Sequence, residues 1–223
     1  MTALLRYQAA LLLRSQRWLP PLILYVAFLG IGVQGGQPVL DSLGYTAAAL
    51  LPVAAWLVRI CTTNEPPAAR SCVAAAVGPG RAHLASLLVA LSTAAGLGAV
   101  ATAVVTLISD PASVDHRTRV PLPAAAAAGL LATLVGALLG TAVGALTNWP
   151  LLRSPGRAVP AMLLAALLSV VVSGSPAQAA VSGLVTGSRS GTVQLPLLPL
   201  AAAALVTAAA TAVACALTSR RSP

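Results

Sequence analysis

Long apolar runs with almost no charge are the feature that most constrains how this chain folds. Of its 223 residues, 58% are hydrophobic and only 8% are charged. Ordinary soluble domains carry about 25% charged residues, and they use them to cover a surface that faces water. This chain cannot cover itself in that way, so its composition predicts an all-α integral membrane protein.

Six apolar segments reach, or nearly reach, the length that a helix needs to cross a bilayer. They lie at about residues 18–34, 44–60, 83–108, 122–147, 158–174 and 194–217. The second and the fifth are at the lower limit of about 17 residues. We expect six transmembrane helices that form a single domain over residues 1–223.

Residues 2–17 precede the first of these spans and are amphipathic. On a helix, Arg6, Arg14 and Arg17 fall on one side, and leucines cover most of the rest. The pattern predicts a helix in the membrane interface with its arginines toward the headgroups, unless the segment merely leads into the first span. No cleavable signal is expected, because the following apolar run is long and lacks a small-x-small site at its end.

The distribution of arginine predicts the orientation. All 13 basic residues are arginine, and they cluster between the apolar runs. With the N-terminus in the cytoplasm, ten lie inside and only Arg117, Arg119 and Arg189 lie outside. Because cytoplasmic loops carry an excess of basic residues, this orientation is the one expected. The chain is thus predicted to be a multi-pass protein of a bacterial-type cell membrane, with both termini cytoplasmic.

A short polar interruption separates the second and third spans and predicts a helix over 67–77. Pro66 and Pro67 favour a helix that begins at Pro67, and the glycines at 78 and 80 favour the end of that helix. Glu65 then lies beside the positive end of the helix dipole. Eleven residues give about 16 Å, which is too short to cross a bilayer of about 30 Å. A short helix with marked ends between two spans is expected to contact another molecule in the water.

Several kinds of chemistry are not expected in this chain. It contains no lysine, so it has no phosphate-binding loop of the GxxxxGK[ST] type and is not expected to hydrolyse ATP itself. No Asp, Glu, His or Arg lies near the middle of a predicted span, which argues against a proton relay. The three cysteines and two histidines have no metal-like spacing. Basic groups scattered between apolar runs do not form the stripe that nucleic-acid binding needs. We therefore expect neither enzyme activity nor a cofactor in this chain.

The fourth span carries small residues at every fourth position, ending in Gly136, Gly140 and Gly144. Small residues let two helix backbones approach closely. This face packs either within the chain or against a second copy.

The segment at 176–187 is expected to form either a short helix that dips into the outer leaflet or a plain surface loop.

Taken together, these features resemble the membrane subunit of an ABC-2 type transporter, a permease that works with a separate ATPase. The resemblance covers nearly the whole chain. Three segments carry it: the opening from Leu4 to Pro20, the Glu65-Pro66-Pro67…Arg70 loop with its Gly80-Arg81 exit, and the turn from Arg153 to Arg157.

The resemblance implies an exporter driven by a partner. The N-terminal helix would be an elbow at the inner surface, the 67–77 helix a coupling helix docked on the ATPase, and the outer segment before the last span a re-entrant hairpin. The partners would be an ATPase dimer that binds ATP and Mg²⁺, a second permease subunit and membrane lipid. The residues expected to contact the ATPase are Glu65, Pro66, Pro67, Arg70, Val73 and Val77. The alternative is a non-transporting membrane scaffold or assembly factor.

Overall fold

The computed structural model of the protein describes residues 1–115, 118–148 and 154–221, and in these ranges the chain is helical with short connections. Nine helices follow one another: α1 (Thr2–Ser15), α2 (Leu19–Gly32), α3 (Val39–Thr63), α4 (Pro67–Val77), α5 (Pro79–Ile108), α6 (Leu122–Thr147), α7 (Pro155–Val171), α8 (Pro176–Ser190) and α9 (Leu197–Arg221). Arg117 and Arg153, which entered the arginine count, lie outside the described residues, as does His116.

Four of the described helices, α3, α5, α6 and α9, are long and apolar enough to cross a membrane. The pair α7 and α8 adds a fifth candidate if the two are taken as one span, which is bent by 44° at the break between them. α2 is apolar but has only 14 residues, or about 21 Å, which is less than the bilayer core. The all-α fold is thus confirmed for the described residues, and four helices, or five with the bent pair, are long and apolar enough to cross a membrane, whereas six were predicted.

The bounds of several predicted segments agree closely with the structure. The short helix over 67–77 and the helix over 122–147 are confirmed with the same ends. The second predicted span is wrong at its start, since α3 begins at Val39 rather than at residue 44 and includes Asp41. The reason is that Pro38, in extended conformation, sets the start, and the polar Asp41 is tolerated in the first turn.

α3 is the central helix of the bundle. It packs against α2, α5, α6, α7 and α8, and its Leu50, Leu51 and Val53 are fully buried. The glycine face of α6 lies directly on it. A Cβ atom built at Gly136 would be 2.6 Å from the backbone oxygen of Ala47, and one at Gly144 would be 2.6 Å from Cβ of Val58. The absence of side chains there lets the two backbones approach.

The connections lie at two opposite ends of the bundle. At one end, here called the α4 end, the start of α5 meets the end of α9, and Arg59 near the end of α3 hydrogen-bonds Asn148 after α6. At the other end, the amide of Val39 donates to the carbonyl of Asp110, and the amide of Val114 donates to that of Ser188. One end of the bundle is therefore formed by α1, α4 and the helix termini near them, and the opposite end is formed by loops.

The segment around 176–187 is a helix rather than a plain loop. Ser175 caps α8 by accepting a hydrogen bond from the amide of Ala177, and Gly191 ends it in the left-handed conformation at φ 69°. Ala180 and Leu184 are buried, and Leu184 reaches Gly44 of α3. α8 is therefore an integral part of the bundle, set at an angle to α7.

Candidate functional site: the α4 end of the bundle

α4 stands on the end of the bundle with no buried residue. Pro66 is extended and Pro67 occupies the first helical position, while Gly78, at φ +87°, ends the helix in a conformation that favours glycine. In the part of the chain that the structure describes, α4 makes close backbone contact with α5 alone. It is thus a helix with one supported side and a large exposed surface.

Glu65, just before α4, joins this helix to α1. Its side chain is only 6% exposed. The hydroxyl of Tyr7 donates to Oε1 at 3.0 Å, and Nε2 of Gln8 donates to Oε2 at 3.4 Å. Next to it, Nδ2 of Asn64 donates to the carbonyl oxygen of Leu11 at 3.0 Å. The bonds from Tyr7 and Gln8 satisfy a buried carboxylate, which would otherwise be costly, and all three bonds fix α1 to the α3–α4 turn.

The contact with Glu65 changes the acidity of Tyr7. Partial burial of the phenol raises the pKa of Tyr7 above its ordinary value of 10.0, and the hydrogen bond to Glu65 and the negative charge of that carboxylate raise it further. All three causes disfavour the phenolate. Tyr7 therefore remains a hydrogen-bond donor at neutral pH.

Arg70 ties α4 back to the end of α3. Its Nη2 donates to the carbonyl oxygen of Thr62 at 2.6 Å and to that of Glu65 at 3.4 Å. The last carbonyls of a helix have no partner within the helix, so a guanidinium placed there satisfies them. Arg70 thereby couples the position of α4 to that of α3.

Residues of α3, α4, α5 and α9 line a small cavity behind α4. The cavity has a volume of about 50 Å³, and Glu65, Arg70, His83, Ser86 and Thr218 contribute polar groups to its wall. A water molecule needs about 10–15 Å³ and several polar partners, so the cavity has room for ordered water. Among the described residues, no group of His, Cys, Asp or Glu side chains is arranged to hold a metal ion.

The residues expected to contact an ATPase are placed in different environments. Pro66, Pro67 and Val77 are exposed, and Arg70 and Val73 are half-buried. Glu65 is buried and faces α1, where Tyr7 and Gln8 donate hydrogen bonds to its carboxylate. The surface open to another molecule is formed by the α4 side chains themselves, including Cys72.

Sequence reasoning missed the residues that hold this site together, above all Tyr7, Gln8 and Asn64. One signal pointed to Gln8, because it lies four residues before Leu12, on the face that α1 buries. A polar side chain on an apolar face needs a partner. That partner is Glu65, which lies 57 residues away along the chain, so no local sequence pattern identifies it.

The three arginines of the predicted interfacial helix, Arg6, Arg14 and Arg17, are all exposed, as are Arg81 and Arg157 near the same end. The α4 end is therefore strongly basic, with Glu65 as its acidic residue in the described ranges.

No protein-family model matches this chain, and no match was found among the curated proteins or the solved structures.

Proposed function

We propose that this chain is the permease subunit of an ABC exporter of the ABC-2 type, with a separate ATPase docking on α4. The observation that carries the proposal is the form of the α4 end: a short helix bounded by Pro67 and Gly78, with an exposed surface, linked by Arg70 and Glu65 to α3 and α1. A displacement of α4 would be passed to α3, the central helix, through these bonds.

In this arrangement six helices cross the membrane: α2, α3, α5, α6, α7 and α9. α2 is shorter than the bilayer core, and such a mismatch is accommodated by local thinning of the bilayer at a modest cost per ångström. Most of the exposed arginines among the described residues lie at the α4 end, whereas Arg119 and Arg189 lie at the other, so the positive-inside rule favours a cytoplasmic position for the α4 end. A partner ATPase in the cytoplasm would then have direct access to α4.

An apolar groove over α3 would form one wall of a translocation path for the substrate. It lies between α2 and α7, has a volume of about 320 Å³, and is lined by aromatic and aliphatic side chains such as Phe28, Tyr45 and Leu167. A second permease subunit packed over it would enclose a passage with apolar walls. Such a passage suits an apolar or amphipathic substrate rather than a small ion.

Cys72 allows a direct test, because it is the exposed cysteine of α4. A thiol-linked photo-crosslinker on Cys72, in a Cys215→Ser background, is expected to capture an ATPase with a phosphate-binding loop, with a yield that changes when ATP is bound. The matched control carries the crosslinker at Val114→Cys in a Cys72→Ser background, at the opposite end of the bundle. Capture that is equal at both positions, or independent of nucleotide, would contradict the proposal.

A second experiment tests the apolar part of the contact. Val77→Asp, on the exposed end of α4, is expected to lower the ATPase-dependent transport activity of proteoliposomes by about tenfold, which corresponds to about 1.4 kcal/mol. Val114→Asp is the control, since Val114 is similarly exposed but lies at the other end. Equal activities of the two variants would favour the scaffold alternative.

A further inference from the structure

One face of α3 carries both a wall of the groove between α2 and α7 and a carboxylate. Tyr45, Ala48 and Pro52 of α3 line the groove. Positions 41, 45, 48 and 52 lie within about 60° of one another around a helix, so Asp41 is on the same face, one helical turn from Tyr45. Helical side chains lean toward the N-terminus, so Tyr45 extends over the turn that contains Asp41. The groove therefore ends beside a carboxylate, at the end of the bundle that is formed by loops.

The Asp41 carboxylate is incompletely satisfied within the fold. Its Oδ1 is buried and has no hydrogen-bond partner among the described residues, and the same holds for the hydroxyl of Ser188, which faces Asp41 from α8. Arg189, the next residue, is exposed and acts on the carboxylate through its charge. A buried acceptor without a partner is costly, so a ligand that brings a positive charge to this carboxylate is bound favourably.

Acidic residues are concentrated at this end of the bundle. Asp41, Asp110 and Asp115 lie there, and they are three of the four acidic residues in the chain, whereas the described arginines at this end are Arg119 and Arg189. α3 has 25 residues, or about 37 Å, which exceeds the roughly 30 Å hydrocarbon core. The first turn of α3, with Asp41, thus reaches the headgroup layer, where a ligand can keep a charged group in contact with water.

The groove itself is apolar and contains two aromatic rings. Phe28 of α2 and Tyr45 of α3 line it, and no charged side chain does. The ring of Tyr45 packs on Gly32 and so joins the α2 and α3 walls, while 38% of the residue stays exposed. The face of an aromatic ring attracts cations, and a volume of about 320 Å³ lies in the range of small-molecule sites.

We propose that this groove binds a lipophilic organic monocation, with its apolar body against Phe28 and Tyr45 and its positive charge at Asp41. This inference rests on the proposed function, because it names the substrate class of the exporter. A neutral lipid tail fits less well, since it leaves the carboxylate without a partner. An anion of the same shape would be repelled by that carboxylate, and a small hydrated ion gains nothing from apolar walls.

Two probes of one shape and opposite charge test the proposal. Tetraphenylphosphonium and tetraphenylborate each carry four phenyl groups on one central atom. Their binding to the full chain, purified in mild detergent without ATPase or nucleotide, is measured by equilibrium dialysis against protein-free micelles. We expect one saturable phosphonium site per chain and an affinity for the borate at least about tenfold lower. Equal binding of the two probes would identify a merely apolar groove and overturn the proposal.

Three charge variants locate the site. Asp41→Asn is expected to weaken phosphonium binding by about tenfold, whereas Arg189→Gln should strengthen it, because a competing positive charge is removed. Asp115→Asn is the matched control, since it makes the same change of charge at the same end but lies in the loop after α5. Equal losses in Asp41→Asn and Asp115→Asn, no loss in Asp41→Asn, or weaker binding by Arg189→Gln would each overturn the proposal.

An aromatic variant tests the apolar end of the site. Phe28→Leu is expected to lower the affinity for the phosphonium by about two- to fivefold, as the loss of one cation–π contact predicts, and an unchanged affinity would contradict the assigned position. These results separate the site from the transport role. Phosphonium binding without capture of an ATPase at Cys72 would refute the exporter and leave the cation site. Capture of an ATPase without phosphonium binding would refute the substrate class and leave the exporter.

Discussion

The hydroxyl of Tyr7 donates a hydrogen bond of 3.0 Å to Oε1 of Glu65, joining two residues that lie 58 positions apart. This bond fastens the N-terminal amphipathic helix to the turn that begins α4. Since Arg70 fastens the same turn to the end of α3, a shift of α4 cannot occur without a response from α1 and α3.

Removing the Tyr7 hydroxyl should destabilise the α4 end. In Tyr7→Phe the buried Glu65 carboxylate loses a charge-assisted hydrogen bond, and we expect a loss of about 1–2 kcal/mol. The measurement is the midpoint of thermal unfolding of the full chain in detergent. Tyr45→Phe is the control, because the Tyr45 ring packs on Gly32 and would be retained. An equal shift in both variants would show that the Tyr7–Glu65 bond has no special contribution.

Alkaline pH should weaken the same connection. The pKa of Tyr7 is raised in the folded protein, so its contribution is complete below the unfolded value of 10.0 and is lost as the pH rises through the folded value. The unfolding midpoint of the wild type should therefore fall more steeply than that of Tyr7→Phe as the pH rises above about 10. The difference between the two curves isolates Tyr7 from other titrating groups, and parallel curves would contradict the prediction.

The contact between α6 and α3 should not tolerate a methyl group at Gly140. A Cβ atom there would collide with the backbone oxygen of Leu51, which cannot rotate away. We expect Gly140→Ala to cost about 1–3 kcal/mol or to prevent folding, measured as the unfolding midpoint and the yield of folded protein. Gly96→Ala has open space around the added atom and should be neutral or slightly stabilising. Folding of Gly140→Ala with an unchanged midpoint would contradict the close contact.

Thiol labelling should report the side of the membrane on which α4 lies. Cys72 is exposed, Cys215 is half-buried and Cys61 is buried. An impermeant maleimide is expected to label inverted vesicles much more strongly than intact cells, and Cys72→Ser should remove most of that signal. Cys61→Ser should leave it unchanged. Strong labelling of Cys72 in intact cells would place α4 outside and reverse the orientation.

The sequence alone determined the bounds of those helices that begin and end at proline or glycine residues. Pro66, Pro67 and the glycine at 78 set the bounds of α4, because each restricts the backbone at its own position. The scarcity of charge determined that the chain is a helical membrane protein. The number of spans was less well determined, since α2 and α7 have lengths near the limit for crossing.

Only the tertiary structure decided which surfaces meet. The sequence predicted a closely packing face at Gly136, Gly140 and Gly144 but left its partner open, and the fold places that face on α3. The sequence analysis placed Glu65 among the residues expected to contact a partner ATPase, whereas the fold buries its side chain against Tyr7 and Gln8. The physical reason is that backbone preferences are set by neighbours along the chain, whereas the choice among many similar apolar faces depends on how all the helices fit together at once.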